Sequence, residues 1–62
     1  MMQCECCTSE ENVNNVLVKN DTIKMDICNK CLMKIERYDI TDSLLEYIHN
    51  CYLSGQRKQF IK

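Results

Sequence analysis

Six cysteines in 62 residues are the feature of this chain that can do chemistry. Four of them form two pairs, Cys4-x2-Cys7 and Cys28-x2-Cys31, separated by 20 residues. Two cysteines three apart on a tight turn aim both sulfurs at one point, and two such turns supply four thiolates about 2.3 Å from a tetrahedral ion. The spacing therefore predicts one structural Zn2+ per chain, with Cys4, Cys7, Cys28 and Cys31 as its ligands. Such a site is closed: it leaves no position for water or substrate, which argues against metal catalysis. The same residues admit two disulfides, a redox-active pair or an iron-containing centre as competing readings. A thioredoxin-like CxxC, however, belongs in a βαβ context that this length cannot supply.

The remaining reactive side chains receive blander readings. Cys6 competes with Cys4 and Cys7 for the metal; the x2 spacing favours Cys4 with Cys7, against an exchange of register. Cys6 is then a spare thiol whose replacement by Ser is expected to be nearly neutral. Cys51 shares a helical stripe with Leu44 and Ile48 and reads as a small buried hydrophobe. His49 falls on the polar side with Glu46 and Asn50 and reads as a surface histidine. With one histidine, one glycine and no Ser/His/Asp arrangement, carboxylate pair or Gly-rich phosphate loop, no enzyme activity is expected.

To converge on one metal, the two knuckles need a spacer that goes out and returns. Val16 to Val18 is apolar and β-branched, Asn20-Asp21 is a turn pair, and Thr22 to Ile27 alternates with Ile23, Met25 and Ile27 on one face. Residues 4–31 therefore read as a zinc-knuckle β-hairpin, similar to a zinc ribbon or treble clef. After Cys28 the spacing becomes helical, with Cys31, Ile35 and Tyr38 on one stripe, and predicts a helix at 29–38. A second helix is expected at 42–54, started either by Thr41 with an Ile40/Leu45 staple or by a Ser43/Glu46 capping box. Gly55 stands where a left-handed C-cap belongs. The basic tail, 56–62, is expected to be frayed or ordered by a partner. The fold class is a small zinc-stabilised α+β domain: a knuckle hairpin followed by two short helices.

Length and charge bound the function. A chain of 62 residues makes one domain and buries only about 60% of its unfolded surface, so its apolar core alone is marginal. The formal charge is -1, and four thiolates with one Zn2+ lower it by two further units, which speaks against nucleic acid and anionic membranes. Basic residues Lys30, Lys34 and Arg37 line one helical stripe and, with Arg57 and Lys58, are the basis of a nucleic-acid-binding alternative, but Glu36 lies beside the stripe and no aromatic residue is interleaved. No run approaches the roughly 20 apolar residues of a membrane span, and the N-terminus lacks the pattern of a secretory signal. The cysteines are therefore expected in a reducing cytoplasm. Six each of Asn, Lys and Ile hint at an AT-rich bacterial or phage gene. The second helix is apolar over more of its circumference than a small hairpin buries, which points to a homodimer or partner interface at Leu44, Leu45, Ile48 and Tyr52.

Cys4-x-x-Cys7, a hairpin-like spacer, Ile27-Cys28-x-x-Cys31 and a charged amphipathic helix together resemble Gin, the small zinc-binding anti-sigma factor family of spore-forming bacteria. The resemblance covers roughly residues 4–37 and carries over Cys4, Cys7, Cys28 and Cys31 as zinc ligands. It implies a zinc-stabilised hairpin, a helical C-terminal part used for dimerisation, and binding to a sigma factor that blocks its use by RNA polymerase. Cys6 and Cys51 are additional to that pattern.

Overall fold

Alternating Ile23, Met25 and Ile27 needs a partner strand on one side and an apolar cover on one face. Val13–Val18 (β1) supplies the first. In the computed structural model, which describes residues 2–61, it pairs antiparallel with β2 (Ile23–Cys28), and the register runs from Val18 opposite Ile23 to Val13 opposite Cys28. β1 thus begins three residues before Val16, because pairing with the second knuckle extends the ladder through the polar Asn14 and Asn15. The Asn15 amide bonds the Asp26 carboxylate directly across at 2.9 Å. Lys19, Asn20 and Asp21 turn the chain in consecutive left-handed conformations. Asn and Asp tolerate that region and Lys adopts it less readily, so the turn is closed with help from the Thr22 N–H on the Lys19 carbonyl at 3.2 Å.

β2 runs directly into helix α1 (Asn29–Arg37), one residue shorter than the spacing predicts. Tyr38 does not stay on the Cys31/Ile35 stripe: it caps the helix with its N–H on Lys34 and its ring is 64% exposed, while Asp39 takes a left-handed turn. Helix α2 (Asp42–Leu53) starts at Thr41, whose hydroxyl accepts the Leu44 N–H at 3.3 Å, which decides between the two capping schemes. Ile40 and Leu45 both pack into the core, as a staple requires. At the other end Gly55, at φ +96°, lets its own N–H reach the Tyr52 carbonyl and that of Gln56 reach Cys51, the paired bonds of a Schellman stop.

The core is a cluster of Cys4, Cys6, Met25, Ile27, Cys28, Cys31, Leu45, Ile48 and Ile61. Four of these nine are cysteines. The tail differs from its expected frayed or partner-bound state. The Phe60 and Ile61 N–H groups donate to the Cys6 carbonyl at 2.7 and 3.0 Å, Ile61 is buried, and the Phe60 ring meets Tyr47 edge-on at 6.1 Å. Arg57 bends the chain back by donating to the Tyr52 carbonyl while its guanidinium covers the Tyr52 ring. Lys62 of the basic tail lies outside the described residues. Among the described residues, no helix is long and apolar enough to cross a membrane.

Candidate metal centre

The second knuckle is built by the strand-to-helix junction. Cys28 ends β2 in extended geometry and is the N-cap of α1, and Cys31 follows in the first turn, so the switch from strand to helix turns both sulfurs to the same side. No side chain caps α1 and no acidic residue occupies its first turn. The positive end of its dipole is instead offered to the sulfurs of Cys28 and Cys31.

The first knuckle has no regular element to shape it. Cys4 donates to the Ser9 carbonyl at 2.7 Å, Thr8 donates back to the Cys4 carbonyl at 2.9 Å, and the Gln3 amide donates to the Thr8 carbonyl at 3.1 Å. Thr8 is left-handed at φ 67°, an unfavourable conformation for a β-branched residue that the surrounding loop must impose.

The two knuckles bring the sulfurs of Cys4, Cys7, Cys28 and Cys31 within 4.8 Å of one another, and this cluster of four cysteines could hold a metal ion. A tetrahedral ion with sulfurs at about 2.3 Å needs edges of about 3.8 Å. The Cys7 and Cys28 sulfurs stand 3.5 Å apart, so the donor set is already near the required size. That distance is far from the ~2.05 Å of a disulfide, and all six cysteines are free. Cys4, Cys28 and Cys31 are buried and Cys7 is partly exposed, so the cluster meets solvent on the Cys7 side.

The protonation pattern is uneven. A hydrogen bond from the Cys6 thiol brings Cys4 down to about 4 despite its burial, with backbone N–H groups of Cys28, Cys6 and Cys7 adding to the effect. Cys6 is pushed far up, first by giving its proton to that bond and then by burial. Burial is the leading cause that raises Cys7 and Cys31. Within the cluster Cys4 is thus the thiol most readily ionised, while Cys7 and Cys31 are held toward their protonated forms.

Cys6 is outside the cluster of four sulfurs, in agreement with the x2 spacing, but it is not a spare surface thiol. It is fully buried in the core, and its carbonyl anchors the tail. Its near-neutral replacement is no longer expected. Cysteine is among the most frequently buried residue types, and that preference was the available signal. Cys51 is buried at 9% exposure, the place expected of a small hydrophobe.

His49 is also placed differently. Its Nδ1 donates to Glu5 Oε1 at 2.6 Å, and its side chain is only 20% exposed. Glu5, inside the first knuckle and 5% exposed, uses its other oxygen to accept the Asp26 N–H at 2.8 Å and donates its own N–H to the Asp26 carbonyl at 2.8 Å. It thereby closes part of the open edge of β2 and reaches α2. Nothing in the spacing of residues 5, 26 and 49 announces this contact.

Comparison with family models, with curated proteins and with solved structures gives no match. The expected partner face divides: Leu45 and Ile48 turn into the chain's own core, whereas Leu44 is exposed and Tyr52 half-buried. Tyr47 and Leu53, not among the four expected residues, are exposed on the same helix at 58% and 68%. On α1 an open hollow of about 570 Å³ lies among Lys30, Met33, Lys34, Glu36 and Arg37. All five residues stand on one helix, so no second wall encloses it.

Proposed function

We propose that this chain is a zinc-stabilised protein-interaction module that binds and inhibits a larger protein. The observation that carries this reading is the convergence of Cys4, Cys7, Cys28 and Cys31. Four thiol donors from two knuckles suit Zn2+, and a Cys4 site is structural because all four positions belong to the protein. The ion would hold together a chain whose apolar core is small. Exposed Leu44 and Tyr47, neighbours one turn apart on α2, supply an apolar surface for a partner. The Gin resemblance makes a sigma factor or another RNA polymerase component the first partner to try.

Two measurements test this reading. Replacing Zn2+ by Co2+ gives an intense thiolate-to-metal absorption at one ion per chain, and Cys28→Ser loses it. Binding of a purified sigma factor, followed by native gel shift, is abolished by Tyr47→Glu, whereas replacing Lys30, Lys34 and Arg37 together by Ala leaves it intact. The opposite result, with the basic triplet essential for binding DNA and Tyr47→Glu harmless, selects the nucleic-acid reading. That alternative draws on the exposed basic side of α1, where Arg37 also lies against the Tyr38 ring at 5.8 Å.

A further inference from the structure

The first knuckle has two working sides. Its sulfurs, from Cys4 and Cys7, point to the four-cysteine cluster. The two residues between them, Glu5 and Cys6, hold the C-terminal half of the molecule. Glu5 Oε1 accepts from His49 of α2, and the Cys6 carbonyl accepts both Phe60 and Ile61 of the last segment. Leu45, Ile48 and Ile61 belong to the same core cluster as Cys4 and Cys6, together with Met25 and Ile27 of β2. The other ion pair linking α2 to the hairpin, Lys19 with Glu46, is exposed on both sides. A pair in that setting adds little.

We propose that metal binding and C-terminal docking are one linked equilibrium: filling the four-cysteine site fixes Glu5 and Cys6, and these fix α2 and residues 56–61. The inference rests on the metal-binding reading above. A knuckle with no regular secondary structure and a left-handed Thr8 rests on a few loop hydrogen bonds and the Asp26 backbone, so fixing its two ends, Cys4 and Cys7, through an ion adds directly to its rigidity. A carboxylate as deeply buried as Glu5 must find its partners at fixed positions, since a buried charge without them is strongly unfavourable. A loosened knuckle therefore releases His49 and the tail and exposes Leu45, Ile48 and Ile61. Linkage is reciprocal, so loosening the docked half must weaken metal binding. Residues 49 and 61, far in sequence from every ligand, thereby contribute to affinity for the ion.

Competition titration of Zn2+ into the full chain tests this, using His49→Ala and Ile61→Ala. His49→Ala removes the imidazole that meets Glu5, Ile61→Ala removes the buried side chain while keeping the N–H that bonds Cys6, and both leave the knuckle sequence untouched. Both variants are expected to bind one Zn2+ per chain, with the four-thiolate Co2+ spectrum of the parent and an affinity lower by about tenfold. Amide exchange at Phe60 and Ile61, slow in the zinc-loaded parent, is expected to speed up in His49→Ala. Parental affinity in both variants, within about twofold, while exchange across residues 45–51 shows a loosened helix, overturns the linkage and leaves the metal site standing. Failure of the parent itself to bind Zn2+ overturns the metal reading and the linkage with it.

Discussion

The two knuckles share a pattern of cysteines and differ in everything between them. In Cys4-Glu5-Cys6-Cys7 both intervening residues are buried, whereas in Cys28-Asn29-Lys30-Cys31 both are exposed. The second knuckle is shaped by the elements it joins, because β2 ends and α1 begins at Cys28. The first is shaped by what presses on it from two sides, the sulfur cluster on one and α2 with the tail on the other. One motif can therefore serve as a surface junction or as the centre of a fold, depending on whether its middle residues have partners.

The strongest way to break this comparison is to remove the ion the two knuckles are proposed to share. Structural zinc contributes about 10–16 kcal/mol in small domains, as much as or more than the whole stability of an ordinary domain. Chelation, or Cys28→Ser in the second knuckle, is expected to collapse the amide NMR dispersion of both knuckles and of Phe60 and Ile61. A metal-free chain that keeps its native spectrum would show that the knuckles stand without a shared centre.

Protons sharpen the comparison next. Cys7 in the first knuckle and Cys31 in the second are both raised, so each carries a proton at neutral pH that must leave before its sulfur can bind metal. Cys4 is brought down to about 4 only in the folded chain, so in a metal-free chain that has collapsed it too starts as a thiol. Zinc binding is therefore expected to release at least these two protons. Affinity should weaken by at least about a hundredfold for each pH unit lowered, since each released proton accounts for about a factor of ten. Calorimetry in buffers of different ionisation heat counts the protons. A count below two would show that these thiols are already ionised before the ion arrives.

The smallest effect compares equivalent middle positions. Cys6→Leu forces extra volume into a fully enclosed place and is expected to cost about 1–3 kcal/mol. Lys30→Leu, on the exposed second knuckle, should stay within about 0.5 kcal/mol. Urea midpoints of the zinc-loaded proteins measure both. Equal costs would remove the distinction between the two knuckles.

Much of this molecule is legible in short-range pattern. The x2 spacings single out Cys4, Cys7, Cys28 and Cys31, whose sulfurs converge, because two cysteines three apart on a tight turn present their sulfurs to one side. The alternation of Ile23, Met25 and Ile27 marks the hairpin, the apolar stripe marks α2, and Gly55 marks its stop, since period and backbone freedom are properties of neighbouring residues. Even Thr41 and Ser43 were visible as rival caps; only the hydrogen bond to Leu44 separates them.

Tertiary structure decided which side chains face inward where two elements compete for them. Leu45 and Ile48 are indistinguishable from Leu44 as members of an apolar helix, yet they are buried while Leu44 is exposed, because the angle at which α2 meets the knuckle selects one part of a wide apolar arc. Glu5 and His49 are polar residues 44 positions apart, each of which would be at ease in water. They are joined because β2 leaves the Asp26 backbone open, the first knuckle lies along that edge, and α2 arrives with His49 beside the carboxylate. Spacing along a chain encodes geometry within a turn or a strand, and contacts that depend on how separate elements pack become definite only when the whole chain has closed around its core.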